Sequence, residues 1–166
     1  MLVFPTAFPE ASRPLFQWCE STSIAEAIRD STWMFAVIEI LHLLGLTVLL
    51  GSLVVLDLRL LGLGMRRQPV SRLAGELAPW IRGGLAVMVV TGVPLFLSEA
   101  MKCYASPPFA IKMTLLSLAI VSHLLILREA LRMDDSARPQ WTKPAACISL
   151  ALWFGVGLAG RAIGFQ

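Results

Sequence analysis

The chain has 166 residues, 57% of them hydrophobic and 15% charged, with a formal net charge of +3 and a mean hydropathy of +0.73. So little polar surface cannot coat a soluble globule of this size, and the composition is that of an integral membrane protein. It excludes a nucleic-acid partner as the reason for the basic excess, because membrane topology itself requires basic residues in short cytoplasmic connections.

Residues 1–32 are mixed in character. The stretch "PLFQWCESTSIAEAIRD", Pro14 to Asp30, interleaves aromatic and aliphatic residues with charge, which predicts a short helix lying at the membrane surface. It lacks the basic start and apolar core of a signal peptide. A membrane-spanning helix needs about 20 mostly apolar residues, and the segments 33–57, 80–98, 108–128 and 145–163 qualify. The expected fold is all-α: an integral membrane four-helix bundle over 33–166, preceded by the interfacial segment, with the lipid bilayer as its solvent.

The first span is followed by Gly62, Gly64 and Pro69. Pro79 is expected to open the second, Ser106-Pro107-Pro108 the third, and Pro139 and Pro144 precede the fourth. Arg59, Arg66, Arg67, Arg72 and Arg82 flank the first connection, and Arg128, Arg132, Arg138 and Lys143 flank the third. Basic residues accumulate on the cytoplasmic side, so both termini are expected outside. Cys19 and Cys103 then share the oxidising face, where a disulfide between them is one expectation and burial as free thiols the other. Cys147 falls inside the fourth span.

Charge at the centre of a membrane helix costs at least ~2.5 kcal/mol on insertion scales, so ionisable residues inside spans mark candidate function. They are Glu39 and His42 in the first span, and Lys112 and His123 in the third. Asp57, Arg59 and Arg82 lie nearer the cytoplasmic boundary, where pairing of Asp57 with Arg59 or Arg82 is structural. With each span centred on the bilayer, Glu39 and Lys112 lie at matching depth, roughly 9 Å from the midplane, and an ion pair between them is expected. His42 and His123 differ in depth by roughly 12 Å, too much for both to ligate one iron in a simple way.

Glu39, His42, Gly45, Leu46 and Leu49 form one helical stripe, and Gly45 is expected to leave room for something flat or bulky. Lys112 and His123, eleven positions apart, share a stripe on the third span. A haem between the first and third spans would use His42 as axial ligand and Lys112 as partner of a propionate, with Met113 or Met88 as sixth ligand. The plainer alternatives are a His42 hydrogen-bonded to Glu39 or a backbone carbonyl, and a His123 that is structural or snorkelling. His123 also stays open as a metal ligand.

The motifs "EILHLLGL" and "DLRLLGL", Glu39 to Leu46 and Asp57 to Leu63, resemble those of an uncharacterised family in the CopD-like superfamily of four-helix bacterial membrane proteins. The spacing in "KMTLLSLAIVSH", Lys112 to His123, is similar to that in the HemJ-type protoporphyrinogen IX oxidases of the same superfamily. The resemblance implies a haem b-binding protein of the bacterial inner membrane, which with the orientation read from the basic residues is multi-pass with both termini periplasmic. A first reading joins this to the placement of the residues: a protein of electron transfer or quinone- or porphyrin-linked oxidoreduction, with His42 as ligand and Lys112 and Arg82 as charge partners. The first helix departs from the oxidase pattern, so porphyrin oxidation does not follow from haem binding.

Two other readings stay open. Glu39, His42 and Lys112 form a proton or ion relay of a transporter or channel subunit, or the chain is a structural subunit of a membrane complex. Four short helices around one cofactor leave it incompletely shielded from lipid, which predicts a homo-oligomer or a partner membrane subunit.

Overall fold

The computed structural model describes residues 8–65, 67–132 and 140–165; Arg66, Arg138 and Pro139 lie outside the described residues. Within them the chain forms seven α-helices and no strand. After a 3-10 turn at Glu10–Ser12 come α1 (Arg13–Glu20) and α2 (Ser23–Asp30), two short helices where the sequence predicted one. Between them Thr22 is extended, and its hydroxyl accepts from the Ala25 N–H at 3.4 Å, capping α2. Phe16, Ala25 and Ile28 are buried while Leu15, Trp18 and Ile24 face outward.

The four long helices are α3 (Met34–Leu61), α4 (Val70–Ser98), α6 (Pro107–Arg132) and α7 (Thr142–Ile163), with the short α5 (Ala100–Ala105) between α4 and α6. The long ones run 22 to 29 residues and are apolar enough to cross a membrane, each exceeding the length that ~30 Å of hydrocarbon requires. The protein is an all-α membrane four-helix bundle. Apolar side chains cover the outward faces as well, among them Ile40, Leu44, Val90, Val121 and Leu158, as expected of helices bathed in lipid.

Helix α4 begins nine residues before the expected Pro79, which lies inside it together with Pro94. Arg72 and Glu76 interrupt the hydropathy there, but they pair with each other on the exposed face at 3.0 Å. Val70, Leu73, Ala74 and Ala78 on the other face are buried, so packing extends the helix through the polar stretch. At the end of α3, Gly62 takes φ 80°, a left-handed conformation that glycine adopts without a Cβ penalty. Its N–H bonds the Arg59 carbonyl, and the Leu63 N–H reaches back to Leu58 at 2.9 Å.

Neighbouring helices pack as α3 on α4, α6 on α7, α3 on α7 and α4 on α6, closing a ring. The end carrying α1, α2 and α5 is termed the upper end. The lower half holds the main core, with Leu49, Leu53, Leu56 and Leu60 of α3 meeting Ala74 and Ile81 of α4, Ile126 of α6 and Trp153 of α7. The upper end is closed by an aromatic cluster of Phe8, Phe16, Phe96, Tyr104 and Phe109. Phe96 and Phe109 stack at 5.6 Å, and Phe16 meets Tyr104 edge-on at 5.3 Å.

The room expected at Gly45 is filled by α4. A Cβ there would stand 2.7 Å from Val87 Cγ1, and one on Gly84 would stand 3.0 Å from the Leu49 backbone nitrogen. These two glycines let α3 and α4 approach closely, so no ligand lies against Gly45.

Candidate functional site

Toward the upper end of the bundle lies a cavity of about 420 Å³ walled by α3, α4, α6 and α7, within the size range of small-molecule and cofactor pockets. Helix α3 contributes Phe35, Glu39 and His42; α4 contributes Met88, Gly92 and Phe96; α6 contributes Phe109 and Lys112; and α7 contributes Gly157, Gly160 and Arg161. Glu99, Lys102 and Cys103 border it from above. The matching depth expected of Glu39 and Lys112 brings both to one cavity.

His42 is held by α4, across the α3–α4 seam. Its Nδ1 lies 2.8 Å from Thr91 Oγ1. The Thr91 hydroxyl also donates to the Val87 carbonyl at 2.6 Å, and it has only one proton to give. Thr91 must therefore accept from His42, so Nδ1 carries the ring proton and the neutral imidazole keeps its lone pair on Nε2. Gly92 makes the placement possible: a Cβ there would stand 3.2 Å from His42 Cε1. The result is an oriented imidazole with one nitrogen satisfied and the other available as a base or ligand.

Among the described residues no salt bridge joins Glu39 to Lys112, contrary to the expected ion pair, whereas Arg72 pairs with Glu76 and Lys102 with Glu99. Glu39 is exposed and Lys112 half-buried. The Lys112 chain extends across the cavity to α7, where Gly160 offers a flat backbone surface; a Cβ there would lie 3.7 Å from Nζ. The reach of Lys112 toward α7 separates it from Glu39 on α3. Cys103, on α5 above the spans, is buried, and that burial together with the Glu99 carboxylate pushes its thiol up to about 11. Cys19 packs against the same cluster as Cys103, yet both are free thiols, as is Cys147.

The remaining candidates lie elsewhere. Met113 is 43% exposed on the lipid-facing side of α6, so of the two methionines only Met88 lines the cavity. Arg82 is exposed and turns its Nε onto the Ala78 carbonyl of its own helix at 3.3 Å. It sits more than two turns below Thr91, out of reach of the site. His123 does not snorkel: it is 5% exposed, and its Nε2 is buried with no hydrogen-bond partner. It shares an inward stripe with Ala119, Ile126 and Ala130 but does not border the cavity that holds His42. Asp57, 2% exposed, is turned to Ser149 of α7, and no ion pair joins it to Arg59 or Arg82; Arg59 instead donates to the Gln68 carbonyl at 2.6 and 2.8 Å. Among the described residues no three His, Cys, Asp or Glu side chains gather to hold a metal ion.

A family model covers residues 15–166, nearly all of this arrangement. The chain belongs to DUF6644, a family of unknown function. No curated protein and no solved structure matches it. The DUF6644 match spans every residue that walls the cavity, including Gly92 and Arg161, which the sequence did not single out, and it also spans Thr91 behind His42. Arg161 carried a signal, being the one charge near the upper end of the last span of this DUF6644 chain. Thr91 and Gly92 carried none beyond a hydroxyl and a small residue in an apolar run.

Proposed function

We propose that this is a haem b-binding protein of the bacterial inner membrane, acting in electron transfer or in quinone- or porphyrin-linked oxidoreduction, in which His42 would hold the iron. One observation carries the reading: Thr91 holds the Nδ1 proton of His42, leaving Nε2 as a lone-pair donor beside a cavity of about 420 Å³. Histidines that ligate metals have their other ring nitrogen tied down in this way. The other residues present also suit a flat apolar group with acidic edges. Phe35, Phe96 and Phe109 supply apolar wall, Lys112 and Arg161 supply charge for carboxylates, and Met88 supplies a thioether.

Bound haem would supply a one-electron iron couple. In this chain His42 holds the ligating nitrogen, Thr91 fixes its tautomer, Lys112 and Arg161 bind carboxylates, and the aromatic cluster at the upper end excludes water. The orientation with both termini periplasmic is part of the proposal and follows from the basic residues at the lower end. Assembly into a homo-oligomer, or with a partner membrane subunit, would complete the shield against lipid.

The test is the visible spectrum of protein purified from cells given a haem precursor. A Soret band that His42→Ala abolishes or shifts, and that His123→Ala leaves in place, is the expected result. Absence of the band in the unsubstituted protein overturns the reading. A second reading draws on Glu39 and Lys112, which stand in the cavity with no partner among the described residues: a proton or ion relay. Proton flux in liposomes that is lost in Glu39→Gln would favour it.

A further inference from the structure

The cavity shares a wall with a second hollow. Between the N-terminal helices and the upper ends of α3 and α4 lies an outer pocket of about 410 Å³ that includes Glu20, Arg29 and Ser98 in its lining. Phe35, Glu99 and Lys102 border both the outer pocket and the inner cavity. The two hollows therefore adjoin at these three side chains. Lys102 Nζ lies 3.8 Å from Glu99 Oε1, with the two side chains 42% and 40% exposed. A pair so loosely held and so open to water parts at little cost.

Charge along this line is unevenly neutralised. Arg29 donates to the backbone carbonyls of Ser98 at 3.3 Å and Glu20 at 2.9 Å, which fixes its position, and in the outer pocket the Glu20 and Glu99 carboxylates stand against Arg29 and Lys102. Beyond the Glu99–Lys102 pair, the inner cavity presents Lys112 and Arg161 against the single carboxylate of Glu39. Across the two hollows Arg29, Lys102, Lys112 and Arg161 stand against Glu20, Glu99 and Glu39, and the positive excess lies at the inner end, between apolar walls that concentrate its field.

We propose that Phe35, Glu99 and Lys102 form a portal through which small water-soluble anions enter the His42 cavity from the aqueous face at the upper end. Lys102 swings off Glu99 to meet the anion, Arg29 draws it to the mouth, and Lys112 and Arg161 receive it. The portal concerns access to the cavity while Lys112 and Arg161 are not engaged by the carboxylates of a bound group.

Cys103 borders the inner cavity and is 6% exposed, which makes it the reporter. In the full chain carrying Cys19→Ser and Cys147→Ser, reconstituted in liposomes, mass spectrometry would follow its modification by two thiosulfonates of similar size. One is anionic (2-sulfonatoethyl) and the other cationic (2-trimethylammonioethyl). The ratio of the two rates, each divided by the rate of the same reagent with a small thiol free in solution, cancels both thiol ionisation and the intrinsic preference of a thiolate for the cationic reagent. The expected ratio favours the anionic reagent several-fold, and Lys102→Glu brings it to one or below; Lys102→Gln, a milder change at an exposed position, gives an intermediate ratio. A ratio at or below one in the unsubstituted portal overturns the proposal. So does labelling by a lipid-soluble maleimide alone. A missing Soret band would not alter these rates, so the portal and the haem reading fail separately.

Discussion

Thr91 bonds in two directions, to the Val87 carbonyl and to His42, and that double duty decides which imidazole nitrogen faces the cavity. Thr91→Val keeps the shape and removes the acceptor, so His42 is free to rotate or to change tautomer. Supporting partners of this kind are worth 10–100-fold in metal affinity, and haem titration of Thr91→Val should show a loss of about that size with a shifted band. Unchanged affinity would mean that the threonine does not orient the ring. His123 is the contrasting case. Its buried Nε2 has no partner, and an unsatisfied buried group costs about 1–3 kcal/mol. His123→Leu should therefore unfold at the same or a higher temperature in detergent, with the Soret band intact; a lost band would make His123 a ligand. His42 and Lys112 were legible in the sequence because ionisable residues in apolar runs are conspicuous. Thr91 and Gly92 were not, because a hydroxyl or a glycine acquires its role only from what the neighbouring helix sets against it.

At the scale of elements, two adjacent glycines of α4 differ by where they point. A Cβ on Gly84 meets the backbone of Leu49 at 3.0–3.1 Å, whereas one on Gly83 meets nothing within 4 Å. Gly84→Ala forces the α3–α4 seam apart and should cost about 1–3 kcal/mol. Gly83→Ala should be neutral or stabilise by up to about 1 kcal/mol. Thermal unfolding of the two variants in one detergent checks the order, and a costlier Gly83→Ala would contradict the seam. The same seam explains the misplaced start of the second span. Hydropathy alone ends at Arg72 and Glu76, but burial of Val70, Ala74 and Ala78 against α3 carries the helix past them.

For the whole molecule, the proposed orientation sets Gln68 at the cytoplasmic side and Glu10 at the periplasmic side. In a background without the native cysteines, a membrane-impermeant maleimide applied to intact spheroplasts should label Glu10→Cys and spare Gln68→Cys. The reverse pattern inverts the bundle, and with it the face on which the portal opens. Sidedness bears on both proposed readings because the cavity lies toward one end: under either, partners that exchange electrons or ions with it would come from that side.

The sequence by itself determined that this is a four-helix membrane protein and which ionisable residues lie within its spans, since both follow from the free energy of moving side chains and backbone out of water. Only the tertiary structure decided what those residues meet. The azimuth of each helix, set by the fit of Gly45 and Gly84 against Val87 and Leu49, turned His42 to Thr91 and not to Glu39. The same packing sent Lys112 to Gly160, Met113 to the lipid and His123 into a closed core. Contacts between helices depend on rotation about their axes, and a span's hydropathy is nearly the same at every rotation.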